Sequence, residues 1–336
     1  MNDKDVRTIA DIARLAGVSK STVSRALNDS PLVAEETKDR IRAIARQHRF
    51  HVSAPARRLS LRKSRTIAFV THAYHTCFSW VDLFGLEILG GITRGLYEMG
   101  YDTLILHVDP NDTSWIAQYL ETGRVDGFIL QTSMRKQFHV KALLKAGAPF
   151  IVWGAPLPGQ RYCSVIGDDA SGGRLAVQHL IETGRQRIAF IGGHPGEAEV
   201  SGRYQGYESA LQEAGREVDE ALVGYGDYSD VSGAREMNAL LNRSPDLDAV
   251  FVNSDVMAIA AMDAIRERGK RIPEDVAVIG YDDLSIAAHT HPPLTTVRQN
   301  VPEVGRLLAR NLVEYLETQM VTNVTVPVEL VVRASA

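Results

Sequence analysis

The chain has 336 residues, 45% of them apolar and 23% charged, with two cysteines and no low-complexity tract. That composition excludes a disordered, collagenous or disulfide-framed protein and leaves room for more than one hydrophobic core. The net charge of −4 hides an asymmetry, because residues 1–65 hold 15 Lys and Arg against 7 Asp and Glu (+8) and the remainder holds 22 against 34 (−12). A basic head on an acidic body suggests that the head meets a polyanion while the body does not.

In chain order, MNDKDVRTIADIA carries no apolar leader, and no later stretch approaches the roughly 18 uninterrupted apolar residues of a membrane span. A cytoplasmic protein is expected. In TIADIARLAGVSKSTVSRALN, Ile9, Ile12, Ala13 and Ala16 recur at helical spacing, and Thr8 with Asp11 has the spacing of a capping box. Gly17 supplies the permissive backbone of a tight turn, and Ser19 is a good N-cap for a second helix running to about Asn28. The inner face of that helix is Val23, Ala26 and Leu27. Its outer face offers Lys20, Ser21, Ser24 and Arg25, all able to donate to base edges or phosphates. A third helix fits VAEETKDRIRAIARQH, with Glu35 and Glu36 favoured by the dipole and Ile41, Ile44 and Ala45 facing inward. Alone, such a helix pair is equally an ordinary hairpin with a solvated polar face; the basic excess and the next segment favour DNA. Residues 53–60, SAPARRLS, place Pro55 near a helix start and project Arg57, Arg58 and Leu59 from one short turn. So short a helix is marginal in water but can fold on binding, with arginines in the minor groove and Leu59 wedged between base steps.

TIADIARLAGVSKSTVSRALN, then PLVAEET, then ARRL resembles the DNA-binding head and hinge of the LacI family of repressors, of the lactose and purine repressor type. The likeness extends over nearly the whole chain. It implies that Lys20, Ser21 and Arg25 read the major groove and that Leu59 intercalates at the centre of a palindrome. The DNA-binding candidates are Thr8, Ser19, Lys20, Ser21, Thr22, Ser24, Arg25 and Asn28 in the head and Arg57, Arg58 and Leu59 in the hinge. One departure is FHVSAPA, where the family commonly has Tyr-x-Pro-Asn.

From Arg65 onward, the apolar runs TIAFV, TLILHV, GFILQ, PFIVW, RIAFIGG, AVFVN and VAVIGYDD alternate with amphipathic segments, the rhythm of parallel βαβ units. A second series begins at CSVIGDDASGGRLA. The resemblance implies an α/β body of the two-lobed periplasmic-binding-protein type I fold behind an all-α helix-turn-helix head. The expected divisions are a head over 1–52, a hinge over 53–64 and an effector-binding and dimerisation domain over 65–336. Its first lobe would take about 65–165 and 298–323, its second about 166–297 and 324–336.

Ligands of such sheets bind at the carboxyl ends of the strands. That rule selects His72 and Tyr74 after the first run, Trp153 after the fourth, Asn253 and Asp255 after AVFVN, and Asp282 after VAVIGY. The family pattern implies effector contacts for Arg203, Asn253 with Asp255, and Asp282, and an aromatic contact for Tyr228. An arginine fork, an amide and a carboxylate around an aromatic plate suit a polyhydroxylated ring. A sugar or sugar phosphate is the expected effector, with a purine as the alternative.

Asp168 and Asp169 open a helix and read as capping and dipole residues or as cleft-edge groups. His72-x-x-His75 and His289-x-His291 lack ligand partners at metal spacing, so no metal or other cofactor is expected. Cys77 and Cys163 stand far apart and read as reduced thiols. A transporter's sugar-binding protein would share the body but would need a leader and leave the basic head unexplained. An enzyme finds no support: G-x-G-x-x-G, G-x-x-x-x-G-K-[ST] and G-x-S-x-G are all absent, and IGGHPG at 191–196 fits none of them. The sequence closes at VVRASA without a heptad-bearing helix, so a dimer is expected.

Overall fold

The computed structural model describes residues 8–27, 29–50, 63–72, 83–131 and 137–336. Asn28, Arg57, Arg58, Leu59 and Tyr74 lie outside these residues. The chain divides into two units, with the boundary between Ser64 and Arg65.

In the first unit α1 spans Ile9–Ala16, α2 Lys20–Leu27 and α3 Glu35–Gln47. The capping box forms, with the Asp11 amide donating to Thr8 Oγ1 at 3.3 Å and the Thr8 amide to Asp11 Oδ2 at 3.1 Å. Gly17 adopts φ +65 and ends α1, a conformation that a side chain makes costly. Ser19 Oγ accepts from the Thr22 amide at 3.1 Å and so caps α2. Ile12, Ala13, Ala16, Val23, Ala26, Val33, Ile41 and Ala45 close the core, with Leu27 and Ile44 half-buried against it. α3 has no side-chain N-cap, since Ala34 precedes it. A feature absent from the sequence reading is Lys38, which is buried with its ammonium 3.0 Å from Asp29 and 2.6 Å from Glu35. Its methylenes fill the core edge while its charge is paired.

Among its described residues the second unit holds twelve strands in two sheets. They are β1 Thr66–His72, β2 Asp102–Val108, β3 Gly127–Gln131, β4 Phe150–Trp153, β5 Cys163–Gly167, β6 Ile188–Gly192, β7 Val223–Tyr225, β8 Ala249–Val252, β9 Ala277–Asp282, β10 Thr295–Arg298, β11 Asn323–Val326 and β12 Glu329–Val331. The first sheet runs β11-β5-β4-β3-β1-β2 and is wholly parallel. The second runs β12-β10-β9-β8-β6-β7, parallel except where β12 lies antiparallel to β10. Both faces of each sheet are covered, which is why the strands read as continuous apolar runs. In β1, Ile67 and Phe69 pack toward helices Leu83–Glu98 and Val301–Thr318, while Ala68 and Val70 pack toward Ser114–Leu120 and Gln137–Ala146. The second sheet is likewise enclosed by helices Asp169–Glu182 and Ala198–Glu213 on one face and Asp230–Arg243 and Asp255–Glu267 on the other.

The chain passes between the lobes three times. β5 ends in the first sheet at Gly167, and the helix after it packs in the second lobe. β10 ends at Arg298, and helix Val301–Thr318 returns to the first. β11 pairs with β5, and β12 with β10. The expected divisions near 165 and 324 therefore fall inside β5 and β11, because strand pairing carries each element past the point where its apolar pattern fades.

Candidate nucleic-acid interface and ligand cleft

On the head, α2 presents Lys20, Ser21 and Arg25 to solvent, with Thr22 and Ser24 half-buried beside them. Thr8 and Ser19 are exposed but already engaged locally. Thr8 Oγ1 donates to Asp11 Oδ2 at 2.7 Å, and Ser19 Oγ lies 2.7 Å from Ser21 Oγ and 2.8 Å from Thr22 Oγ1. A short helix with Lys20 in its first turn, Arg25 in its last and hydroxyls between them is suited to base edges and phosphates together.

In the body, four of the expected ligand residues come together at the carboxyl ends of the second sheet. Arg203, on helix Ala198–Glu213, is buried; its Nε donates to Asp169 Oδ1 at 2.8 Å and its Nη1 to the Asn253 carbonyl at 2.6 Å. Its guanidinium carbon lies 3.7 Å from the centre of the Tyr281 ring. Asn253, just beyond β8, donates from Nδ2 to the Tyr228 hydroxyl at 3.3 Å. Asp282, the last residue of β9, accepts from Gln299 Nε2 at 2.6 Å. Tyr228 and Asp282 hold φ of +68 and +112, backbone that costs side-chain-bearing residues about 1–3 kcal/mol each. The neighbouring Asp283 is fixed by Arg298 and Arg333, each at 2.6 Å, so the strained end of β9 is held in place.

Lobe one contributes Trp153, at the end of β4. Its ring is 6.1 Å from that of Phe84, and a Cβ at Gly167 would meet both Trp153, at 3.8 Å, and Gln299 Oε1, at 2.6 Å. The lobes touch beside this point, where Glu87 Oε1 accepts from the Ser285 amide at 3.0 Å and hydroxyl at 2.6 Å. His72 ends β1 opposite Val108, and no hydrogen bond among the described residues links it to the cluster. Asp255 is fully buried, with Oδ2 accepting from the Leu284 amide at 2.7 Å and Oδ1 from Thr296 at 2.5 Å. Both oxygens hold the chain after β9 to the start of helix Asp255–Glu267, so its chemistry is directed into the fold.

Burial dominates the titration of this cluster. It pushes Asp282 up to about 7 against the pull of Arg203 and the Gln299 hydrogen bond. It also raises Asp169 despite Arg203, and raises Asp255 well above the carboxylate range with the charge of Asp282 adding to the effect. Burial opposes the charge on Arg203 too, but Asp169 overrides it and the guanidinium stays protonated.

Asp168 is an N-cap, accepting from the Ser171 amide at 3.2 Å, whereas Asp169 reaches across to Arg203. Gln299 and Tyr281 are the members of the cluster that sequence reasoning did not assign, and Asp169 is one it left open between helix capping and the cleft edge. Gln299 follows β10, whose TTVR is too short and polar to be read as a strand, so the end-of-strand rule had no purchase there. Among the described residues no group of three His, Cys, Asp or Glu could hold a metal ion, and no helix is long and apolar enough to cross a membrane.

Comparison with known proteins places these two sites in context. A model of bacterial regulatory proteins of the lacI family matches residues 8–53, and a periplasmic binding protein-like domain model matches residues 177–336. The HTH-type transcriptional regulator CelR of Thermobifida fusca is 37% identical over 333 residues, covering 98% of each chain. A solved complex of the transcriptional regulator CelR with cellobiose superposes with a TM-score of 0.75 at 35% identity, covering 98% of this chain and 99% of that one. The lac repressor dimer bound to operator and the anti-inducer ONPF gives a TM-score of 0.82 at 27% identity, with 98% of both chains covered.

Proposed function

The chain belongs to the LacI family of bacterial transcriptional regulators, and from that premise we propose that α2 reads an operator through Lys20, Ser21 and Arg25 while the cleft binds a sugar that changes the reading. It is a ligand-responsive DNA-binding repressor, acting as a dimer, and not an enzyme. We place it in the cytoplasm, where its DNA target lies.

The observation that carries the sugar reading is the cluster of Arg203, Asn253, Asp282 and Tyr228 at the strand ends. It sets directional polar groups around an aromatic ring, the arrangement that a polyhydroxylated ring requires. The similarity to a regulator solved with cellobiose supports the same class. Arg203, Tyr228, Asn253 and Asp282 are the proposed contacts from the second lobe and Trp153 from the first, with Asp255 positioning them. His72 and Tyr74 are proposed to border the cleft from the first lobe. Residues 53–64 are proposed as the hinge, with Arg57 and Arg58 in the minor groove and Leu59 as the wedge. Sugar binding alters lobe closure and through the hinge the affinity for DNA, a coupling of about 1–3 kcal/mol.

Selection of DNA from a random library by the full-length protein, followed by titration with cellobiose, tests this. A palindromic consensus whose affinity shifts with the sugar is the expected result; Arg25→Ala then loses about 1–3 kcal/mol and relaxes preference at one base position. An enriched pool without two-fold symmetry, or an Arg25→Ala loss uniform across all sequences, contradicts the base-reading role.

A further inference from the structure

Among the described residues, the cleft is richer in carboxylates than in cations. Arg203 has little to offer an anion: one nitrogen of each edge of its guanidinium is already engaged, Nε by Asp169 and Nη1 by the Asn253 carbonyl, and its flat face lies on Tyr281. Two of its five N–H groups are spent on these contacts. Asp169 also cancels its charge. Around this neutral pair stand further carboxylates. Asp282 and Glu197 are buried, Glu199 acts on Asp169 and Tyr228, and Glu87 acts on Asp282.

Two buried side-chain oxygens, Asn253 Oδ1 and Gln299 Oε1, have no hydrogen-bond partner, and both residues are essentially inaccessible. Above its titration near 7 the Asp282 carboxylate only accepts and so faces Nε2, which sets the orientation of the Gln299 amide. The Tyr281 hydroxyl in the same cluster is also without a partner.

We propose that the cleft selects an uncharged, hydroxyl-rich effector and rejects the same molecule carrying a phosphate, with Asn253 and Gln299 accepting from the effector's hydroxyls. The proposal rests on the sugar reading above and narrows it. Each sugar hydroxyl brings a donor that meets an orphaned acceptor, whose isolation is costly in a buried site. A phosphate brings acceptors and about one and a half to two negative charges into a pocket already rich in both, where no cation among the described residues stands free to offset desolvation. Gln299 is in this account a specificity residue: it stands at the crossing from β10 to helix Val301–Thr318, against Gly167 at the other crossing.

The test is calorimetric titration of the full-length protein, at one pH and ionic strength, with cellobiose, with glucose and ribose, and with glucose 6-phosphate and ribose 5-phosphate. The expected result is that the better-bound uncharged sugar exceeds its phosphorylated partner by about tenfold or more. Asp169→Asn, which leaves the charge of Arg203 uncompensated, is expected to narrow that gap by about threefold or more, while Gln299→Ala weakens the uncharged sugar by about tenfold. A phosphorylated sugar that binds as tightly as its parent overturns the proposal and leaves the sugar reading standing. Absence of binding by every sugar in the panel overturns the sugar reading, and the proposal with it.

Discussion

Asp282 carries a buried carboxylate beside a buried guanidinium, and burial outweighs the cation, so that the acid titrates near 7. An unfolded aspartate titrates near 3.9, so between about pH 4 and 7 the native state holds a proton that the unfolded state does not. The stability from this group is therefore complete below about pH 4, is lost as pH rises through about 7, and is level above that. Asp282→Asn removes the titration. Melting temperatures of the parent and the variant, compared from about pH 5 to about pH 8, should show the parent losing ground as pH rises; a constant difference contradicts it. At this scale Asn253 and Asp282 were legible from strand-end position and the family pattern together, Arg203 and Tyr228 from the family pattern alone. Gln299 was not, and Asp169 stayed open between helix capping and the cleft edge, because what distinguishes them is the residue each meets across the fold, Arg203 from 34 positions away for Asp169 and Asp282 from 17 for Gln299.

Arg203 meets Asp169 only because two helices come unusually close. A Cβ on Gly173 would collide with the Arg203 carbonyl, and one on Gly206 with the Ala170 carbonyl, so Asp169–Glu182 and Ala198–Glu213 touch backbone to backbone. Gly206→Ala is expected to force them apart, lowering stability by about 1–3 kcal/mol in urea unfolding and weakening sugar binding, although residue 206 touches no ligand candidate. Unchanged sugar affinity in a destabilised variant would separate the packing from the site. Helices with strong stop and start chemistry were readable in advance: Thr8 with Asp11, Gly17 and Ser19 each took the role their residue type dictates. Strands buried on both faces were readable as apolar runs. β7, with three residues, and β10, with four, were not, since neither is long enough to show a period.

The charge division seen in the sequence, +8 over residues 1–65 and −12 over the rest, belongs to the molecule as a whole. Operator affinity should fall steeply and linearly on a logarithmic salt scale, since phosphate contacts release counterions, while sugar affinity should hardly move. Removing residues 1–64 should abolish the first and spare the second; retained DNA binding by residues 65–336 would contradict the division of labour. The threefold passage of the chain between the lobes has a different consequence, for the order in which the protein can be made. The first sheet gains its final strand, β11, only when residue 326 of 336 has been added, and the apolar face beneath helix Val301–Thr318 stays bare until that helix exists. Neither lobe can mature on a ribosome ahead of the other, as separate domains do. A nascent chain halted near residue 300 would carry two unfinished lobes, each exposing a sticky surface, so both are expected to need protection from aggregation until β11 and β12 have been made.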